Sequence, residues 1–178
     1  MTITAETVDQ IGDGAYPQTV RALAEKWGKI LGVPPSWIVS HAWVETTNHI
    51  KGKKAHNERG NAWGVMQMKP PTADDMVERL RRKVQAKGFK GADEVNRVLG
   101  FWTGKGEDLF NPELAIMLGA FYLRNLANYF HTTDQKVVAA AYNQGPGAVK
   151  IALAEGKFTP KMNEYLARME EAKSLGFA

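Results

Sequence analysis

A chain of 178 residues is long enough for one domain with a substantial core, and its 44% hydrophobic and 24% charged residues indicate neither wholesale disorder nor a membrane protein. The absence of cysteine excludes disulfides, thiolate nucleophiles and cysteine-ligated zinc. A formal charge of +4 favours approach to an anionic polymer, whether nucleic acid, anionic lipid or bacterial wall, without choosing among them.

The amino terminus, MTITAETVDQIGDG, has neither the basic start nor the apolar run of a secretory signal, and no segment reads as a bilayer span. Val20, Leu23, Ala24, Trp27, Ile30 and Leu31 then recur at helical offsets, predicting an amphipathic helix ended by Gly32 and the prolines at 34 and 35. Ser36 predicts a second helix start, with Ile38, Ala42 and Glu45 on adjacent turns of one face before the helix runs out near Thr47. Thr72, followed by Asp74 and Asp75, predicts a third, whose apolar face is Met76, Leu80 and Val84. Asn111 before Pro112 opens a fourth, through Leu114, Met117, Leu118, Phe121, Tyr122 and Leu126. Asp134 opens a fifth, stopped by Gly145 and Pro146; Ala148 to Ala154 resumes, and Met162, Tyr165, Leu166 and Met169 mark the last. No stretch alternates as a half-buried strand does. The expected fold is all-α, with little or no β and long loops at about 48 to 62 and 86 to 110.

Glu45 is the residue of chemical interest. Burial of its face would carry the carboxyl inward, and it lies in the last turn of its helix; both circumstances disfavour the charged form. A proton held near neutral pH is what a general acid needs to protonate a leaving oxygen. In GVMQMKPPTA, residues 64–73, Gly64 permits close backbone approach, and Gln67 has an amide donor and a carbonyl acceptor suited to sugar hydroxyls and N-acetyl groups. In AAAYNQGPGAV, residues 139–149, small alanines let another helix approach Tyr142 and Asn143. Alone, each stretch also has an ordinary explanation: a solvated glutamate, a loop entering a helix, a helix ended by a turn.

Together, WVETT, GVMQMKPPTA, NPELAIMLGAFYL and AAAYNQGPGAV, in that order over about residues 33 to 155, resemble the soluble lytic transglycosylase family. Its catalytic domain has a lysozyme-like, goose-type fold. A late NEYL at 163–166 resembles the family's terminal tyrosine motif, so that the chain from 1 to 178 reads as one such domain, with an insertion at about 81–109 and a C-terminal helix at 160–173. The resemblance implies cleavage of the β-1,4 bond between N-acetylmuramic acid and N-acetylglucosamine in peptidoglycan, giving a 1,6-anhydro product with no cofactor. Glu45 matches the glutamate of the family's Glu-Ser motif, with Thr46 in place of the serine. It would protonate the glycosidic oxygen and then take the proton of the muramyl C6 hydroxyl. Met66 and Gln67 match the Met-Gln motif and Tyr142 and Asn143 the Ala-Tyr-Asn motif, which implies that they bind substrate; Tyr165 would close the cleft from the far side.

Lys69 stands where the family is commonly apolar, and HNERGNAW, before Gly64, replaces a segment of small residues. Glu58 in that stretch could face Glu45 as a second carboxylate, which would make the protein a hydrolytic muramidase. A non-catalytic wall-binding or virion structural module is the other alternative. His41 and Glu45 have the spacing of a metal pair, but His49, His56 and His131 supply no third ligand, and no metal is expected. The basic run Lys51, Lys53, Lys54, His56 and Arg59 belongs to no nucleic-acid module and is interrupted by Glu58; a solvated loop or a contact with the anionic wall is expected instead, with no nucleic acid as partner and no membrane insertion. Trp37, Trp43, Trp63 and Trp102 are either sugar-stacking platforms or core residues. With peptidoglycan strands as substrate and no export signal, the expected setting is the bacterial wall or periplasm, reached by a bacteriophage-type lysin carried in a particle or released through a permeabilised membrane.

Overall fold

The computed structural model describes residues 16–46 and 55–174. The amino-terminal stretch, Thr47, His49, and Lys51, Lys53 and Lys54 of the basic run lie outside the described residues. The helices are α1 (Tyr16–Leu31), α2 (Pro35–Thr46), α3 (Pro70–Val84), α4 (Ala92–Leu99), α5 (Pro112–Tyr129), α6 (Gln135–Gln144), α7 (Pro146–Ala154) and α8 (Pro160–Ser174), with a 3-10 turn at Gly106–Phe110. Two-residue strands, β1 (His56–Asn57) and β2 (Ala62–Trp63), pair antiparallel, His56 opposite Trp63. The fold is all-α, as expected. Among the described residues no helix is long and apolar enough to cross a membrane.

The architecture is built around α5. Asn111 caps it, its side chain accepting from the N–H groups of Glu113 and Leu114 at 3.0 and 3.2 Å, and Pro112 occupies the first position, where an N–H would have no partner in the helix. Leu114, Ala115, Ile116, Met117, Leu118, Ala120 and Leu123 are all fully buried, so this helix is apolar nearly all round and has to be surrounded. α1 and α2 pack on it from one side, α3 and α4 from another, and α6 from a third. The predicted stripe of α1 buries Val20, Leu23, Ala24, Trp27 and Leu31 as expected. α8 crosses α2 and α6 through a second small cluster of Val44, Ala139, Tyr165, Met169 and Ala172. That crossing brings the C-terminal helix to the end of α2, where Glu45 lies.

Three expectations are corrected. α3 begins at Pro70 with Lys69 as its N-cap residue, three residues earlier than the Thr72 cap, because consecutive prolines fit the first positions of a helix and Thr72 falls inside the first turn. For the same reason α7 begins at Pro146 rather than Ala148. The long loop expected at 86–110 contains α4 and the 3-10 turn, and Val95, Val98, Leu99 and Leu109 from it are core residues. This segment is fastened by polar contacts as well. Glu113, almost fully buried, accepts from Lys26 of α1 at 2.8 Å and from Arg97 of α4 at 2.9 Å, and the Trp102 indole donates to Asp74 at 2.9 Å.

Candidate active site

The site is a cleft of about 390 Å³ between the end of α2, the 64–69 turn, the first turn of α3, Tyr122 of α5 and the end of α6. Its floor depends on two glycines. A Cβ on Gly64, which has φ +71°, would lie 2.0 Å from the Leu109 carbonyl oxygen, and one on Gly119 of α5 would lie 2.7 Å from the Met66 side chain. Glycine at these two positions lets the 64–69 turn pack this closely on the 3-10 turn and on α5.

Glu45 lines the cleft from the last turn of α2. Burial pushes its carboxyl up to about 7, against two opposing influences: the Tyr165 hydroxyl, which donates to Oε1 at 2.7 Å, and the Arg168 guanidinium. Arg168 donates to the Val44 carbonyl at the C-terminal end of α2, so it also satisfies a backbone group that the helix leaves unpaired. Tyr165 and Arg168 are three apart on α8 and therefore share a face.

Behind the carboxylate lies an aromatic layer. Tyr142 donates to the Met66 carbonyl at 2.8 Å, and its ring stands edge-on to His41 at 5.0 Å and 5.2 Å from Tyr122. His41 is fully buried and also lies 6.3 Å from the Tyr165 ring. Its Nδ1 is 2.6 Å from the Trp37 carbonyl, which can only accept, so Nδ1 carries the proton and Nε2 is left without a partner among the described residues. Burial brings the imidazole down to about 4 and keeps it neutral. The tyrosine hydroxyls are both pushed well above their ordinary range, burial being the leading cause, and so keep the protons that they donate.

Gln67 has φ +44°, uncommon for any residue other than glycine. Its amide nitrogen donates to the carbonyls of Gly64 at 2.9 Å and Ala55 at 3.1 Å. Both amide hydrogens are thus committed to the protein, and what Gln67 presents to the cleft is its carbonyl oxygen. The expected donor-and-acceptor pair is reduced to an acceptor. Asn143, exposed on the rim, accepts from Gln144 with its side-chain oxygen.

Glu45, Gln67, Tyr142 and Asn143 are thus brought together in one cleft, and Tyr165 reaches Glu45 from behind it. Thr46 and Met66 do not line it. The Thr46 hydroxyl is buried and donates to the Ala42 carbonyl at 2.6 Å, one turn back in its own helix. The Met66 side chain is fully buried against Gly119 and contributes only its backbone carbonyl, to Tyr142. Glu58 is exposed and absent from the lining. The tryptophans expected as sugar platforms do not line the cleft either: Trp102 is buried, Trp37 and Trp43 pack against the two cores, and Trp63 stacks on His56 at 3.5 Å. No group of three or more His, Asp or Glu among the described residues could hold a metal ion.

Sequence reasoning missed Tyr122, Thr72 and Arg168. Tyr122 was legible only as part of an apolar stripe, although a phenol there needs an outlet for its hydroxyl; Arg168 could have been found from its spacing to Tyr165.

Residues 22–164 match the family described as the transglycosylase SLT domain. No curated protein matches the sequence. Among solved structures, the X-ray structure of lytic transglycosylase Slt from Pseudomonas aeruginosa, an inactive mutant with glutamine in place of a glutamate, is similar with a TM-score of 0.64 and 22% identity. The likeness covers 93% of this chain and 26% of that one, so it is a likeness of fold to about a quarter of a longer protein.

Proposed function

The chain belongs to the transglycosylase SLT domain family, and from that premise we propose that it cleaves the β-1,4 bond between N-acetylmuramic acid and N-acetylglucosamine in peptidoglycan without water, leaving a 1,6-anhydro-muramyl end. One observation carries this reading. Among the described residues, Glu45 is the one carboxylate lining the cleft. A two-carboxylate glycosidase needs its second group within roughly 10 Å of the first, across the scissile bond. With a lone acid, the substrate has to supply the nucleophile.

In the first step protonated Glu45 gives its proton to the glycosidic oxygen as the bond from C1 to that oxygen breaks. In the second, the Glu45 carboxylate accepts the proton of the C6 hydroxyl while O6 bonds to C1. The leaving sugar keeps the first proton, Glu45 regains one from the hydroxyl, and no water is consumed. A group that serves as acid and then as base works best with its proton affinity near the working pH, and a carboxyl at about 7 meets that condition. Burial favours the acid stage; the Tyr165 hydroxyl and Arg168 steady the carboxylate stage. The muramyl acetamido group stabilises the oxocarbenium-like centre, and the Gln67 carbonyl oxygen orients it by accepting its N–H. Tyr142 holds the 64–69 turn in place through Met66 and adds its ring to the wall of the cleft. That a glutamate-to-glutamine mutant of the Pseudomonas aeruginosa protein is inactive agrees with a glutamate as the acid.

Incubation with purified bacterial walls and mass spectrometry of the fragments tests the proposal. Anhydro-muramyl ends are expected; reducing ends would mean hydrolysis, and no fragments would mean a binding module. Glu45→Gln keeps the size of the side chain but removes its titrating proton, and is expected to release no fragments.

A further inference from the structure

Among the described residues the cleft lining contains one carboxyl and one ammonium group, Glu45 and Lys69, and only the first has a part in the reaction proposed above. Lys69 occupies a place that local electrostatics disfavours. It is the N-cap residue of α3, where the helix carries partial positive charge and where an Asp, Asn, Ser or Thr would accept from the first N–H groups. Its side chain makes no capping bond, and Pro70 and Pro71 remove two of the N–H groups that could have held a compensating anion.

The neighbouring carboxylates do not neutralise it. Asp74 accepts from the Trp102 indole at 2.9 Å, and Asp75 is paired with Arg79 at 2.8 Å. Lys69 is exposed, and among the described residues it has no ion pair or hydrogen bond from its ammonium group. Thr72, one turn along, lines the same cleft, and its hydroxyl likewise has no partner among the described residues. A cation placed against the helix rule, unneutralised and open to a substrate cleft beside a free hydroxyl, is a local conflict of the kind that function resolves.

We propose that Lys69 and Thr72 form a carboxylate-binding subsite that selects glycan strands by the acidic group on the muramyl lactyl ether. The inference rests on the peptidoglycan reading above. The lactyl ether hangs from C3 of the same sugar whose C1 is cleaved, so an anion tethered there enters the cleft with the scissile bond. The carboxylate has two possible sources with one chemistry: the lactyl group itself in strands stripped of peptide, or the acidic residues of the stem peptide. Lys69 supplies the charge and Thr72 a directional donor.

The test compares four substrates: strands with intact stems, strands stripped by an amidase, and each of these after amidation of its carboxylates. Wild type is expected to show a KM about fivefold lower for the carboxylate form of at least one strand than for its amidated form, with the preference shrinking as salt is raised. Preference for intact strands identifies the stem as the source, and preference for stripped strands identifies the lactyl carboxylate. Lys69→Met is expected to raise KM for that strand to the amidated value without lowering kcat in proportion, and Lys69→Arg to restore the difference. Equal KM for carboxylate and amidated strands in wild type, or an equal loss on both in Lys69→Met, would overturn the subsite while leaving the cleavage reaction intact. Absence of any cleavage by wild type would instead overturn the reading on which the subsite rests, and the subsite with it.

Discussion

At the scale of residues, Glu45 owes its chemistry to a contest among its neighbours. Burial raises the carboxyl, and the Tyr165 hydroxyl and Arg168 hold it back, so that it settles near 7 rather than at the ordinary carboxylate value. Because the first step needs the protonated form, kcat/KM is expected to fall as pH rises through about 7. Tyr165→Phe removes a hydrogen bond that favours the charged form, so the alkaline limb should move to higher pH while the rate drops by about tenfold, as steadying of the carboxylate stage is lost. A limb that moves to lower pH in that variant would mean that Tyr165 does not donate to the carboxylate. Glu45→Gln is expected to reduce fragment release by at least about a thousandfold, measured on purified walls. The same substitution should stabilise the fold by about 2 kcal/mol above pH 8, where the native carboxylate is charged in a buried place, as read from urea denaturation.

At the scale of elements, helix identity was legible in the sequence wherever apolar residues repeat over several turns, as in α1 and α5. Asn111 and Asp134 were correctly read as caps, since their side chains accept from N–H groups of the first turn. α4 was not legible, because eight residues between glycines carry too few turns to show a period. Of the site, Glu45, Gln67, Tyr142, Asn143 and Tyr165 were legible as residues, but the direction of their hydrogen bonds was not. Where the Gln67 amide and the Thr46 hydroxyl point depends on backbone carbonyls that the fold brings near: Ala55 and Gly64 for the first, Ala42 for the second. The pairing of α5 with the 64–69 turn is testable. In Gly119→Ala the added methyl meets the Met66 side chain at 2.7 Å, so Met66 has to shift, and with it the carbonyl that Tyr142 holds. The expected result is a loss of about 1–3 kcal/mol in thermal or urea unfolding together with a fall in kcat. Loss of stability with kcat unchanged would detach this contact from the site.

At the scale of the whole molecule, the half-buried Glu45 and the buried His41 have effects on stability that oppose each other. Glu45 lies above its unfolded value, so its contribution is fully present below pH 4.5 and is lost as pH rises through about 7. His41 lies below its unfolded value, so its contribution is present above pH 6.5 and is lost as pH falls through about 4. Between these limits both groups are neutral in the folded protein, and the two slopes largely cancel. Glu45→Gln should therefore expose the His41 slope, giving a protein whose stability climbs with pH from about 4 to 6.5, where wild type is nearly flat. Urea denaturation across that interval checks this, and a variant as flat as wild type would contradict it. The desolvation of Glu45 is thus both the source of its altered acidity and a cost to stability at high pH, and Tyr165 and Arg168 of α8 work against it. The most direct measurement is a carbon-13 titration of the Glu45 carboxyl, assigned by its loss in Glu45→Gln. A midpoint near 7 is expected. A midpoint near the ordinary 4.5 would show a solvated carboxylate, unable to hold the proton that the first step requires, and would contradict the proposed chemistry at its origin.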